Sequence, residues 1–213
     1  MSFSILQRHS SGSFSKQTEK SRILLQYSLT LFFSFLTGCL GFYLLSDEYL
    51  PSLVYQSGVH FELTFTKVSG ILEMLLLVFR YAGFDLLCVA ILLLSSLTSL
   101  HLLISDGLLF AQGFLGGFAL CFLFQMECSR TPPFANLGYF LAFAFFRLSL
   151  LGCFLFFFWS VSGFVMNQKT DRSRSGIPFS SKAMFSIALR CVLLAVLIFI
   201  LTTMYTISLN LVF

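Results

Sequence analysis

Residues 108–126 read LLFAQGFLGGFALCFLFQM, a run that contains no Asp, Glu, Lys or Arg. A helix needs about 20 mostly apolar residues to cross the hydrocarbon core of a bilayer. Inside that core its backbone hydrogen bonds must all be internal, which an α-helix provides. This stretch therefore predicts a membrane-spanning helix.

The composition of the whole chain extends this prediction. Of 213 residues, 57% are hydrophobic and only 10% are charged, and the mean hydropathy is +0.91. Soluble domains carry about 25% charged residues, because solvated side chains must cover their surface. An ordinary soluble protein is excluded. The net charge of +4 is interpreted as a signal of membrane orientation, not of nucleic-acid binding.

Apolar runs of similar length recur along the chain, separated by polar breaks. We predict an all-α fold, a polytopic transmembrane helical bundle with about five spans and one short interfacial helix. The predicted spans cover residues 23–45, 81–103, 108–126, 134–165 and 184–213. Ser105-Asp106-Gly107 is predicted to form a tight turn between the second and third spans. Pro132 and Pro133 interrupt helix before the fourth.

The polar segments predict the topology. Residues 1–22 are rich in Ser and basic side chains and are predicted to form a disordered tail. Residues 46–80 are predicted to be external, with residues 68–79 forming an interfacial or re-entrant helix too short to cross. Lys and Arg are concentrated in the tail and in residues 167–182, which five spans place on one side. The positive-inside rule makes that side the cytoplasm and the C-terminus external.

Two ionisable residues inside the predicted spans are candidate functional residues. Arg147 lies near the middle of the fourth span, and Asp85, near one end of the second, is its nearest plausible counter-charge. A charge at that depth costs about 2.5 to 3.5 kcal/mol on insertion scales. The residues could form a structural polar clamp between spans or part of a substrate or proton path. Alternatively, Arg147 could snorkel to an interface.

His101 is the third buried polar candidate, placed among leucines at the inner end of the second predicted span. His9 and His60 fall in a tail and a loop on opposite sides of the membrane, so no metal site is predicted. Protease, hydrolase and nucleotide-binding motifs are missing from the sequence. We expect a non-enzymatic protein with no catalytic residue, no cofactor and no nucleic-acid partner.

The third predicted span carries glycines at a spacing typical of helix packing. Gly113 and Gly117 form a GxxxG motif, with Gly116 beside them and Gly107 near the start of the span. In lipid, small residues let helix backbones approach closely. These glycines are predicted to pack helices within the chain, or to form a homo-oligomer contact or a partner-binding groove.

Within the first span, Leu36-Thr37-Gly38-Cys39 has the form of a bacterial lipobox, which would make Cys39 a lipidation site. The apolar run continues past it through Leu45. That continuation favours an uncleaved helix over a signal peptide that ends at the cysteine.

The order of elements resembles the stage II sporulation protein M family of integral membrane proteins: a basic tail, one span, an external segment and four further spans. The likeness is greatest from Leu86 to Phe124, where an LLxxxxLLLSSLT helix precedes DGLLFAQGFLGGFALCFLF. Gly107 and Gly113 match the spacing of the family's glycine-bearing helix. The last span departs from the family, with Thr202, Thr203 and Tyr205 where a Glu is expected.

The resemblance implies a scaffold in the cell membrane of a spore-forming bacterium. Such a scaffold recruits membrane-anchored cell-wall hydrolases, whose peptidoglycan remodelling drives engulfment during sporulation. The alternative is the membrane subunit of a small-molecule transporter. The interrupted helix around residues 68–80, the glycine-rich third span and Arg147 together favour that alternative, because they could form a site near the bilayer midplane.

Overall fold

The computed structural model describes residues 3–44, 71–129, 137–175 and 181–212. Side chains are described for 20–44, 137–166 and 181–207 and for most of 72–128. These residues form five helices: α1 (Phe3–Leu44), α2 (Ile71–Ser95), α3 (His101–Ser129), α4 (Leu137–Ser175) and α5 (Ser181–Val212). The prediction of an all-α bundle is confirmed for this part of the chain. Most of the predicted external segment 46–80, and both prolines before the fourth span, lie outside the described residues.

Four of the helices are long and apolar enough to cross a bilayer. The candidate spans are Lys20–Leu44, His101–Cys128, Leu137–Met166 and Ser181–Ile207. Large apolar side chains cover the outside of the bundle, with Phe145 75% and Phe185 70% exposed. Charged and polar side chains such as Asp85, Gln112 and Arg147 lie inside. Lipid as solvent explains this inverted distribution, which is that of a multi-pass membrane protein.

Side-chain contacts fix the relative directions of the helices. α1 and α3 run parallel, because Gln26 contacts Asp106, and Phe42 contacts Phe118 further along both helices. α3 and α4 run antiparallel, with His101 against Ser162 and Phe124 against Phe140. The bundle therefore has a Lys20 end, where α1 carries Lys20, and a Leu44 end, where α1 stops.

The remaining two helices complete an alternating arrangement. α5 runs antiparallel to α4, because Arg190 contacts Ser160 and Tyr205 contacts Phe143. α2 runs antiparallel to α3, with Gln112 against Asp85 and Ser95 against His101. Successive helices thus reverse direction. The Lys20 end contains Lys20 of α1 and the beginning of α5, where Lys182 lies.

α2 differs from the sequence prediction. It is one helix of 25 residues, which at 1.5 Å per residue is about 37 Å long. It replaces both the predicted interfacial helix of residues 68–79 and the first part of the predicted span 81–103. Glu73 and Arg80 lie in the first half of this helix, before its apolar stretch Ala82–Ser95. Once nucleated, a helix elongates readily, and the polar residues did not stop it.

The break after α2 also lies elsewhere than predicted. The chain turns at residues 96–100, while Ser105, Asp106 and Gly107 are helical. The hydroxyls of Ser95, Ser96 and Thr98 donate to the carbonyls of Leu92, Leu93 and Ser95, three residues earlier. Such bonds compete with the helical backbone pattern. Asp106 stays in α3 because Gln26 and Thr30 of α1 donate to its carboxylate.

Three predicted helix ends also change. α1 begins at Phe3, so the predicted disordered tail of residues 1–22 is helical from that point. That segment contains no proline and continues directly into a stable span, which favours elongation. α4 extends to Ser175, into the predicted polar loop of residues 167–182, and α5 begins at Ser181 instead of residue 184.

Two apolar clusters fill the interior. One lies toward the Lys20 end and includes Ile23, Leu109, Leu150, Phe154, Phe158 and Leu194. The other lies toward the Leu44 end and includes Phe42, Phe118, Tyr139, Phe143 and Tyr205. Along α4, Arg147 lies between Phe143 of the second cluster and Leu150 of the first. The layer between the clusters therefore contains buried charge.

Candidate functional site

The structure brings Arg147 and Asp85 together between the two apolar clusters. Arg147 Nη1 lies 3.7 Å from Asp85 Oδ2, and the side chains are 8% and 3% exposed. Each charge is the counter-ion that the other needs in a medium of low dielectric constant. The snorkelling interpretation of Arg147 is therefore wrong, because its guanidinium turns inward to a carboxylate.

Gln112 of α3 is the third member of this group, which we call the charge cluster (Asp85, Gln112 and Arg147). Its Nε2 donates to Asp85 Oδ1 over 2.8 Å and approaches Cys88 Sγ at 3.4 Å. The cluster joins α2, α3 and α4. Within the described residues, Gln112 Oε1 and Arg147 Nε have no hydrogen-bond partner. The cluster thus retains one acceptor and one donor.

A second polar group lies nearer the Lys20 end. His101 Nδ1 is 3.0 Å from Ser95 Oγ, and His101 Nε2 is 2.9 Å from Ser162 Oγ. Ser162 Oγ is in turn 2.6 Å from the Tyr27 hydroxyl. We call these four residues the histidine chain. They come from α2, α3, α4 and α1, and all four are buried.

The position of His101 differs from the prediction. It begins α3 instead of ending the second span, because the turn lies at residues 96–100. That turn brings Ser95 and His101 face to face. Ser95 donates its one hydroxyl proton to the Leu92 carbonyl, so it accepts from His101 Nδ1. In a neutral ring, Nε2 then accepts from Ser162, and Ser162 accepts from the Tyr27 hydroxyl. The described residues hold no group of three His, Cys, Asp or Glu side chains that could bind a metal ion.

Gly113 and Gly117 lie against α1. A Cβ on Gly113 would overlap Ser34 Oγ and lie 2.9 Å from the Leu31 carbonyl oxygen. A Cβ on Gly117 would overlap the Phe35 carbonyl oxygen. The face that carries both glycines is therefore covered by α1. It packs helices within the chain and is not open as a partner-binding groove.

The other two predicted glycines differ from each other. A Cβ on Gly116 would lie 3.2 Å from Leu151 Cδ1 and 3.8 Å from Arg147 Cγ, so this glycine faces α4. A Cβ on Gly107 would meet no described heavy atom within 4 Å. Gly107 therefore makes no close helix contact of the kind predicted. Gly38 of α1 does, because its Cβ would overlap the Phe114 carbonyl oxygen.

Several residues of these groups were missed by the sequence analysis. Gln112 stands as a single polar residue in an apolar run, Ser162 follows Ser160 in another, and Tyr27 and Ser95 lie near the ends of such runs. A neutral polar side chain costs less free energy to bury than a charge, so its presence in an apolar run is a weaker signal of a functional site. The usable signal was the isolation of Gln112, the one amide between Leu108 and Leu123.

Comparison with known proteins finds no match for this chain among family models, curated proteins or solved structures.

Proposed function

We propose that this chain is a non-enzymatic integral membrane scaffold that anchors other membrane proteins. The supporting observation is that its buried polar groups engage one another across helices. The charge cluster joins α2, α3 and α4, and the histidine chain joins α1 to the same three helices. Paired polar groups in hydrocarbon hold helices in one arrangement. A fixed body with an apolar outer surface suits an anchor.

The class of partner in this proposal comes from the resemblance over residues 86–124. The partners are membrane-anchored cell-wall hydrolases, and the setting is sporulation and engulfment in a bacterial cell membrane. The N-terminus is cytoplasmic and the C-terminus external, an orientation supported by the presence of Lys20, Arg22 and Lys182 at one end of the bundle. Since α1 covers the Gly113–Gly117 face, a partner helix would contact the outer surface of the bundle.

The second candidate function is the membrane subunit of a small-molecule transporter. The observation that favours it is the pair of unpartnered atoms in the charge cluster, Gln112 Oε1 and Arg147 Nε. A donor and an acceptor beside a buried ion pair are groups that a polar substrate or a proton path uses. In a transporter, the charge cluster would contact the transported substrate or proton as well as hold the helices together.

One double variant separates the two functions. Asp85→Asn with Arg147→Gln removes both charges and keeps polar side chains of similar size. The tagged variant is crosslinked in its own cells, extracted and analysed by mass spectrometry beside the wild type. Phe145→Leu, on the exposed face of α4, is the matched control. If the chain is a scaffold, the same partners, including a cell-wall hydrolase, should be recovered with the wild type, the double variant and the control.

Transport is measured in parallel with purified protein in vesicles that contain a pH-sensitive dye. A proton flux present in the wild type and the control but absent in the double variant would support the transporter. Failure to recover any partner above an untagged control would contradict the scaffold. Recovery of membrane proteins without a hydrolase would retain the scaffold and overturn the assignment of its partners.

A further inference from the structure

A cleft of about 220 Å³ lies at the Lys20 end, where α1, α4 and α5 meet. It is lined by Lys20, Trp159, Ser160, Gly163, Phe164 and Arg190. Two of these six residues are cationic and none is acidic. The cleft is separate from the charge cluster and from the histidine chain, which share no residue with it.

Contacts inside the cleft hold the Arg190 side chain in place. Arg190 Nη1 donates to the carbonyl oxygen of Ser160 over 2.7 Å and to its hydroxyl over 2.6 Å. The Arg190 guanidinium also lies 5.0 Å from the centre of the Phe164 ring. Both acceptors are neutral, so they orient the guanidinium without cancelling its charge. Arg190 is therefore a preorganised cation.

The second cation approaches from α1. The Trp159 indole donates to the Lys20 carbonyl oxygen over 3.0 Å, which fixes the α1 backbone to α4 at this level. A Cβ on Gly163 would lie 3.9 Å from Lys20 Cγ and 4.0 Å from Lys20 Cε. The lysine stem thus crosses the glycine, and a larger residue at 163 would crowd it. Two positive charges converge on one concave surface.

The position of the cleft favours a ligand from the membrane. Lys20 and Arg22 come just before the apolar run of α1 that begins at Ile23, so the cleft lies where a span leaves the hydrocarbon core. Trp159 is 6.1 Å from the ring of Phe156, a residue that is 57% exposed on the outside of α4. Tryptophan is enriched at the level of lipid headgroups. Basic pockets between helices at this depth bind the headgroups of anionic lipids.

We propose that this cleft binds the phosphate group of an anionic ligand, through Lys20 and Arg190. The headgroup of an anionic phospholipid is the source that its position favours, and free phosphate is the other source of the same chemistry. Arg190 provides a fork of donors for the phosphate oxygens, and Lys20 provides a mobile point charge. This proposal does not depend on the scaffold function.

Trp159 makes the proposal directly measurable, because it is the only tryptophan in the chain. The full-length protein is placed in phosphatidylcholine vesicles that contain equal small fractions of either brominated phosphatidylglycerol or brominated phosphatidylcholine. Bromine quenches the fluorescence of a tryptophan that it contacts. We expect stronger quenching by the anionic lipid. Lys20→Gln or Arg190→Gln should each lower that preference about fivefold, the effect of one cation near a membrane surface.

Lys182→Gln is the matched control, because it removes one exposed basic side chain at the same end but outside the cleft. It should leave the lipid preference unchanged. Arg190 also holds Ser160, so Lys20→Gln, on an exposed side chain, keeps the test valid if Arg190→Gln does not fold. Arg190→Lys keeps the charge without the fork and should give an intermediate loss.

Adding inorganic phosphate to the vesicles distinguishes the two sources. Lipid preference that phosphate does not displace supports the headgroup as the ligand. A fluorescence change caused by phosphate in vesicles without anionic lipid supports phosphate chemistry with a soluble ligand. Equal quenching by both lipids with no response to phosphate would overturn the proposal. An equal loss in Lys182→Gln would also overturn it, because general surface charge would then explain the preference.

Discussion

Asp85 and Arg147 show how a membrane protein tolerates full charges among leucines and phenylalanines. The carboxylate receives one contact from the guanidinium and one from Gln112, so it has a partner on each oxygen. Removing one partner of a buried ion pair leaves the other charge uncompensated, which costs about 3 to 5 kcal/mol. Removing both charges avoids that penalty.

We therefore expect a non-additive result from this pair. Asp85→Asn alone and Arg147→Gln alone should each lower the free energy of unfolding by about 3 to 5 kcal/mol, because each leaves one buried charge without a counter-ion. The double variant should recover most of the loss. The measurement is thermal unfolding of the three purified variants in one detergent. Additive losses would show that the two side chains do not act as a pair.

Part of this site was predictable from single residues. Charges are rare in spans, so Arg147 and Asp85 stand out in the sequence, and their opposite signs predict the pair. The histidine chain was harder to predict from the sequence. Serine and tyrosine are common in membrane helices, and the contact between Ser162 and Tyr27 depends on how four helices pack. His101 was recognised as buried, but its partners depend on a turn that was placed several residues too late.

At the scale of elements, α1 and α3 form a parallel pair whose backbones come very close. Gly38 meets Phe114, and Gly113 and Gly117 meet Ser34 and Phe35. Cys39 Sγ adds a contact of 3.6 Å to the Gly117 carbonyl oxygen. No side chain beyond a hydrogen atom fits at these positions. Close approach gives dispersion contacts along the whole interface, which drive helix association in lipid.

Alanine substitutions at three glycines of α3 should separate the effect of helix packing from that of helix propensity. Gly113→Ala and Gly117→Ala should each destabilise by about 1 to 3 kcal/mol, because the new methyl group overlaps α1. Gly107→Ala should stabilise by about 0.5 to 1 kcal/mol, because the space is open and alanine favours helix. Thermal unfolding of the variants provides the comparison. Similar effects at Gly107 and Gly117 would contradict the α1 contact.

Helix type was predictable from apolar run length, but helix ends were not. Asp106 and Gly107 resemble turn residues, yet the carboxylate obtains donors from α1 and so remains in a helix. Ser95, Ser96 and Thr98 lie in a run that resembles a helix interior, yet their hydroxyls donate to carbonyls three residues earlier, where α2 ends. In both cases side-chain hydrogen bonds decide whether the residues are helical. The α1 donors to Asp106 are about 80 residues away in sequence.

At the scale of the whole molecule, the alternation of helix directions makes α2 a crossing segment. α1 and α3 are parallel, so the chain must return to the Lys20 end between them, and α2 is the helix that makes the return. Its Phe79 packs 5.8 Å from Phe199 of α5, within the bundle. Among the described residues, hydropathy selects four candidate spans, and the direction of α2 between parallel α1 and α3 indicates a fifth.

Cysteine labelling tests this topology. In a background with the other native cysteines changed to Ala, Cys128 and an introduced Leu44→Cys should react with the same accessibility to a membrane-impermeant maleimide. Both residues lie at the Leu44 end. Lys182→Cys should show the opposite accessibility, reacting only after permeabilisation if the Leu44 end is external. Opposite accessibility of positions 44 and 128 would show that α2 does not cross.

The distance in sequence between Asp85 and Arg147 has a consequence for biogenesis. The ribosome makes the acid first and, at 5 to 20 residues per second, supplies the guanidinium on the order of 3 to 12 s later. During that interval a nascent α2 would hold an unmatched carboxyl in the bilayer. Stable insertion of α2 therefore requires α4, although α2 is synthesised first. In arrested chains that end before residue 147 and keep Cys88 as the only cysteine, Cys88 of α2 should react with a membrane-impermeant maleimide, whereas in chains that include all of α4 it should not.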